Sequence, residues 1–312
     1  MRMRVVSLLP SATEIICRIG GEDLLVGRSH ECDWPPQIKD RPVLTGQRTP
    51  SPKGVGASSE IDQAVRKALG AGKSASQSLY TLDADALRDL RPDVILTQDL
   101  CDVCSIDLET VRAVAGKMNP SPTIITLDPK SIWNVLDDCL KVGEAVGRPQ
   151  QAERAMVEMR EGWWTAVDHV NPFIEGPEVL FLEWMDPPFV GGHWTPEMIV
   201  AAGARHSLNL AGAKSRVASP EEIIEAAPQR IIICPCGYGL SAIRSEMATL
   251  RANKWWPLLP ANMDGPGRVV MVDGNQMFNR PGPRLIDAFR WLTGWLNDRP
   301  ELIPDGFPVE QA

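Results

Sequence analysis

Val5-Val6-Ser7-Leu8-Leu9-Pro10-Ser11-Ala12-Thr13-Glu14-Ile15-Ile16 decides the fold class of this chain. Its apolar start reads as a strand over 4–9. Ser11 and Glu14 have the spacing of a capping box, in which each side chain satisfies a free backbone N–H at a helix start. Ile15, Ile16 and Ile19 then form a short apolar helix face, and Gly20-Gly21 ends it. A strand that turns directly into a helix opens an α/β layout.

The same grammar repeats outward. A second strand over 24–28 leaves Ser29-His30-Glu31-Cys32-Asp33-Trp34 in the loop beyond it. Residues 45–58 are rich in Pro, Gly and Ser and read as a surface loop. Ile61, Ala64, Val65, Ala68 and Leu69 recur at helical spacing. A short helix at 84–90, a strand at 93–97 and a strand at 123–127 follow. From 131 to 170 the pattern is long helix. A second α/β series has strands at 178–183, 230–234 and 268–272. Thr195 is placed as the N-cap of one of its helices and Ser219 opens another with a capping box. Leu285, Phe289, Leu292 and Leu296 mark the closing helix, and the tail from Pro300 reads as irregular. The organisation expected is an N-terminal α/β lobe over 1–130, a connecting helical segment over 131–170 and a C-terminal α/β lobe over 171–312. Each lobe is expected to hold a mainly parallel sheet flanked by helices.

The chain has 312 residues, a net charge of −8, 44% hydrophobic and 23% charged residues. That balance excludes a disordered chain and argues against nucleic-acid binding through bulk charge. No apolar run approaches the ~20 residues that span a bilayer. Met1-Arg2-Met3-Arg4 runs straight into the first strand, so a cytoplasmic protein is expected, with a periplasmic one as the alternative if a leader is missing. The seven cysteines are then thiols or metal ligands rather than bridges. No Walker loop, Gly-x-Ser-x-Gly elbow or full dinucleotide fingerprint occurs, and no catalytic residue is assigned.

Val5–Glu14, Leu25-Val26-Gly27-Arg28, Leu87-Arg88-Asp89-Leu90-Arg91-Pro92-Asp93-Val94-Ile95-Leu96, Gly192-His193-Trp194-Thr195-Pro196-Glu197-Met198-Ile199 and Ala202-Gly203-Ala204 occur in this order. In these segments the sequence resembles the substrate-binding proteins of ABC importers for cobalamin and iron chelates, the class with one rigid helix between two lobes. The resemblance covers nearly the whole chain. It implies a corrinoid or similar metal chelate held between the lobes, and acidic residues, here Asp85 and Glu197, that dock on a membrane permease or another protein.

The candidate ligand residues follow from position at strand-end loops, where open parallel sheets bind ligands. Trp34, Trp184 and Trp194 offer broad apolar faces for a macrocycle, or else plug loops onto the core. His30 and His193 offer imidazole to cobalt, iron or zinc, or simply hydrogen-bond their loops. Asp99 and Arg280 offer polar contacts to a ligand's amides or acids. Cys101-x-x-Cys104 has a spacing compatible with zinc or iron, and with further cleft cysteines or histidines it defines the alternative: a cytoplasmic metal-site protein or metalloenzyme on the same fold.

Overall fold

A computed structural model describes residues 2–47, 58–70, 80–99, 106–263 and 265–312. The chain divides into two units. The first holds Met1–Ser51, Ala64–Pro129 and Trp133–Met159; the second holds Pro52–Gln63, Lys130–Ile132 and Arg160–Ala312.

In chain order, the elements up to the middle of the chain are β1 (Val5–Ser7), α1 (Pro10–Arg18), β2 (Leu25–Arg28), β3 (Thr45–Gln47), α2 (Ser58–Gly70), β4 (Tyr80–Leu82), α3 (Ala84–Leu90), β5 (Val94–Gln98), α4 (Leu108–Ala115), β6 (Thr123–Leu127), α5 (Ile132–Ala145) and α6 (Pro149–Val167). The first unit is built on a parallel sheet in the order β2-β1-β5-β6. Every residue of β1 is fully buried, and Val6, Leu8, Leu87, Ile95 and Val111 belong to one apolar cluster.

Three expectations are corrected here. The start of α1 is not a capping box: extended Leu9 is its N-cap and makes no side-chain cap bond, and Pro10 opens the helix. Proline has no N–H to satisfy, so one orphan donor is absent from the outset. Ser11 and Glu14 lie inside the helix and are buried. The expected loop at 45–58 begins with a strand, β3, which pairs antiparallel with β4. The helical stretch at 131–170 is two helices. Gly147 has a φ of 70°, a left-handed value that suits a residue without Cβ, and Pro149 starts the next helix. A Cβ added to Gly143 would come within 2.2 Å of Ala152 Cβ, so the helix pair closes tightly at this corner.

The second unit contains β7 (Val179–Trp184), β8 (Phe189–Val190), α7 (Thr195–Ala201), β9 (Arg216–Val217), α8 (Pro220–Ala226), β10 (Arg230–Ile233), α9 (Leu240–Arg251), α10 (Pro260–Met263), β11 (Val269–Val272), α11 (Leu285–Leu296) and β12 (Val309–Gln311). Its sheet runs β12-β11-β10-β7-β8-β9, with β7, β10 and β11 parallel and the outer strands antiparallel. The tail expected to be irregular supplies the edge strand β12. Trp194, not Thr195, occupies the N-cap of α7. The capping box of Ser219 and Glu222 at α8 is present with both of its bonds. Among the described residues no helix is long and apolar enough to cross a membrane.

One buried acid has a consequence for stability. Asp138, on α5, is 7% exposed, and its Oδ2 has no hydrogen-bond partner among the described residues. Burial first, then Asp137 and Asp128, push its carboxyl up from 3.8 to about 7, against the pull of Lys141. The folded state therefore holds this proton where the unfolded chain has released it. Stability should fall as pH rises from about 4 to about 7. In Asp138→Asn the fall should be smaller by up to about 4 kcal/mol. Urea unfolding of both proteins across that range checks this, and parallel pH profiles would contradict it.

Candidate functional site

Parallel strands place their C-terminal ends along one edge of a sheet, and the loops leaving that edge carry the chemistry. In the first unit, β2 is followed by Ser29-His30-Glu31. The Thr45 hydroxyl sits 2.6 Å from His30 Nδ1, accepts the His30 backbone N–H at 3.0 Å and lies 2.9 Å from the Ser29 hydroxyl. The Tyr80 hydroxyl donates to Glu31 Oε1 at 2.8 Å. The rings of His30 and Tyr80 are 5.2 Å apart and tilted by 42°. A half-buried imidazole, a half-buried carboxylate and a buried phenol thus share one cluster. Below it, the Thr13 hydroxyl bridges Ser7 Oγ at 2.9 Å and the buried Cys32 Sγ at 3.0 Å.

In the second unit, Trp184 ends β7 and packs edge-on against Tyr238, which follows β10, with centroids 5.3 Å apart. The Trp184 indole N–H donates to Ser58 O at 3.1 Å. Glu246, on α9, accepts the Ser58 N–H at 3.0 Å and its hydroxyl at 2.7 Å. Ser58 opens α2, so a carboxylate sits on the positive end of that helix. Tyr238 is buried and donates to the same carboxylate; burial, then the charge of Glu246, raises its phenol well above the ordinary value. The loops after β10 and β11 are locked to each other. Gly274 N donates to Tyr238 O at 2.7 Å, and a Cβ on Gly274 would sit 1.8 Å from Pro235 O, so only glycine permits this approach.

The residues singled out in the sequence fall into distinct settings. His30 lies in the first cluster and Trp184 in the second. Trp34 is 45% exposed, and Asp99 is exposed just beyond β5. Trp194 is buried, its indole N–H donating to Phe278 O at 2.8 Å, so its ring is core rather than a stacking face. His193, half-buried against the Trp194 ring, has a left-handed φ of 53° and donates its backbone N–H to Ala213 O at 2.6 Å. Arg280 is 8% exposed, in the loop before α11. Asp85 is 92% exposed and pairs with Arg88 one turn along α3. Glu197 is half-buried, and its Oε2 accepts the Ile132 N–H at 3.1 Å, at the start of α5. Cys101 and Cys104 lie outside the described residues. Among the described residues no cluster of three or more His, Cys, Asp or Glu is arranged to hold a metal. Cys234 is fully buried, its thiol pushed up by burial, while Cys236 is exposed.

Tyr80, Thr45, Tyr238, Ser58 and Glu246 were not anticipated. One signal in the sequence marks two of them. The chain has only two tyrosines, and each lies in one of these clusters.

No family model matches the chain. A curated Vitamin B12-binding protein from Photorhabdus laumondii is 22% identical over 299 residues, covering 95% of this chain and 88% of that protein. The structure of the periplasmic heme-binding protein RhuT from Roseiflexus sp. RS-1 superposes with a TM-score of 0.69 at 24% identity, covering 96% of this chain and 99% of that one. A periplasmic heme binding protein from Pseudomonas aeruginosa gives a TM-score of 0.71 at 21% identity, covering 100% and 98%. The chain has the helical-backbone periplasmic binding protein fold. Its α/β class is the one expected from the sequence. These three proteins are named for binding. Both solved structures are named as periplasmic, so the expected cytoplasmic location gains no support from them.

The Glu246 anchor is testable. In Glu246→Ala the Ser58 N–H, the Ser58 hydroxyl and the Tyr238 hydroxyl all lose their acceptor. A loss of about 1–3 kcal/mol is expected in chemical denaturation, with a change in tryptophan emission as Trp184 loses its fixed partner. Unchanged stability and emission would show that the carboxylate does not hold this segment.

Proposed function

We propose that this protein binds a metal tetrapyrrole, heme or a corrinoid, as the substrate-binding component of an ABC importer, and that it works in the periplasm. The observation that carries the reading is a fold shared over nearly the full chain with proteins named for binding heme and vitamin B12. The ligand is assigned to the strand-end cluster of the first unit, where His30, Glu31 and Tyr80 supply the polar centre. Asp85 and Glu197 are the acids proposed to meet a permease. Asp85 is open to solvent, whereas Glu197 also holds the first N–H of α5.

One observation favours heme over a corrinoid. Heme iron is held in proteins by histidine or by tyrosine, among others. His30 and Tyr80 place both donor types side by side. Thr45 engages Nδ1, so the ring orientation is already set. Glu31 can accept the phenolic proton when the oxygen turns to a metal.

Absorbance titration of the purified protein with hemin and with cyanocobalamin tests this. Hemin should bind with a shifted Soret band. Tyr80→Phe and His30→Ala should each alter that band and weaken binding about tenfold or more. Binding of cyanocobalamin alone would transfer the assignment to a corrinoid. Binding of neither at tens of micromolar would remove the proposal.

A further inference from the structure

The opposite edge of the second sheet carries a different chemistry. A cavity of about 290 Å³ opens where the parallel strands begin, and Glu175, Gly176, Arg205, Gln229, Arg230 and Arg268 line it. Arg230 is the first residue of β10, and Arg268 immediately precedes β11, its carbonyl accepting the Ile231 N–H at 2.9 Å. Three arginines therefore line one concavity of a chain whose net charge is −8.

Their positions are held by neighbours. Arg205 pairs with Glu175 and has Nε 3.8 Å from Oε2 of the buried Glu178. Arg230 lies over the Trp295 ring, 5.9 Å from its centroid, and donates to Gln229 O at 3.1 Å. Gln229 is fixed in turn, since its Oε1 accepts the Glu178 N–H at 3.0 Å. Among the described residues the lining holds three arginines and one carboxylate, that of Glu175. The floor is closely fitted as well: a Cβ on Gly176 would come within 1.7 Å of Gly203 O.

We propose that this pocket binds a small multivalent oxyanion, of the phosphate or polycarboxylate type. Planar guanidiniums recognise such groups by paired N–H donors, and arginines already oriented on strand starts lose little freedom on binding. The pocket lies at the other end of β7, β10 and β11 from Trp184 and Tyr238, so its occupancy is independent of the tetrapyrrole reading.

The experiment is isothermal titration calorimetry of the full chain with sodium pyrophosphate and with citrate, ionic strength being held constant with sodium chloride. One saturable site is expected for at least one of the two anions, and which anion binds separates phosphate from carboxylate chemistry. Arg230 also packs on Trp295, so Arg268→Gln is the deciding variant, with its melting temperature as the check on folding. It should weaken binding about tenfold or more, and Arg268→Lys should retain part of the affinity. Heats no different from those of chloride would overturn the proposal. So would equal affinity in a folded Arg268→Gln protein.

Discussion

Pairing β1 on both sides by parallel strands is the constraint from which the first unit follows. Val5, Val6 and Ser7 have no solvent exposure, and their backbone groups are met by β2 and β5. A parallel neighbour cannot be reached by a tight hairpin, so each return crosses the sheet through a longer connection. Every such connection leaves from the same edge. His30 follows β2 and Asp99 follows β5 for that reason, whereas Tyr80 reaches the cluster through the separate β3–β4 pair. The second unit obeys the same rule through β7, β10 and β11. There the edge gathers Trp184, Tyr238 and Asp273, and the start of the strands gathers Arg230 and Arg268.

Position at a strand end is necessary for ligand contact but does not decide it. Trp184 and Trp194 both follow from the same reasoning about indole rings in loops. Trp184 remains half-buried beside Tyr238, while Trp194 is closed into the core by Phe278. The difference lies in what packs on each ring, a property of distant segments. Arg280 illustrates the same point, because only the surroundings of the loop before α11 show it to be buried.

The α/β class was legible in the sequence because long-range order there rests on local signals. Apolar runs mark the buried strands, and Ser219 with Glu222 marks a helix start that forms as read. Ser11 with Glu14 carries the same spacing and fails, since Pro10 begins the helix two residues earlier than that box requires and takes the place of a side-chain cap. The strands β3, β8, β9 and β12 are only two or three residues long, too short for alternation to rise above chance. Gly147 and Pro149 do carry the break between α5 and α6, but the apolar face on either side of them reads as continuous. Tyr80 and Glu246 lay beyond sequence reasoning altogether. Tyr80 acts with Glu31 across 49 residues and Glu246 with Ser58 across 188, and no spacing rule reaches so far.

Burial also sorts the titratable groups into those that can act and those that cannot. Removing water disfavours whichever form is charged. Burial pushes the thiol of Cys17 up to about 12 and that of Cys139 to about 11, and the thiol of Cys234 rises too. A thiol in that state is a poor nucleophile and a poor metal ligand near neutral pH. The same cause raises Asp138 and lowers His206, which is held by a bond between its Nδ1 and Val179 O. Groups that exchange protons or meet a metal therefore belong at half-buried strand ends, where neighbouring side chains stand in for part of the lost water. His30 and Glu31 meet that condition: both are half-buried, and each has a polar partner that fixes its orientation, the one for Glu31 being the hydroxyl of buried Tyr80.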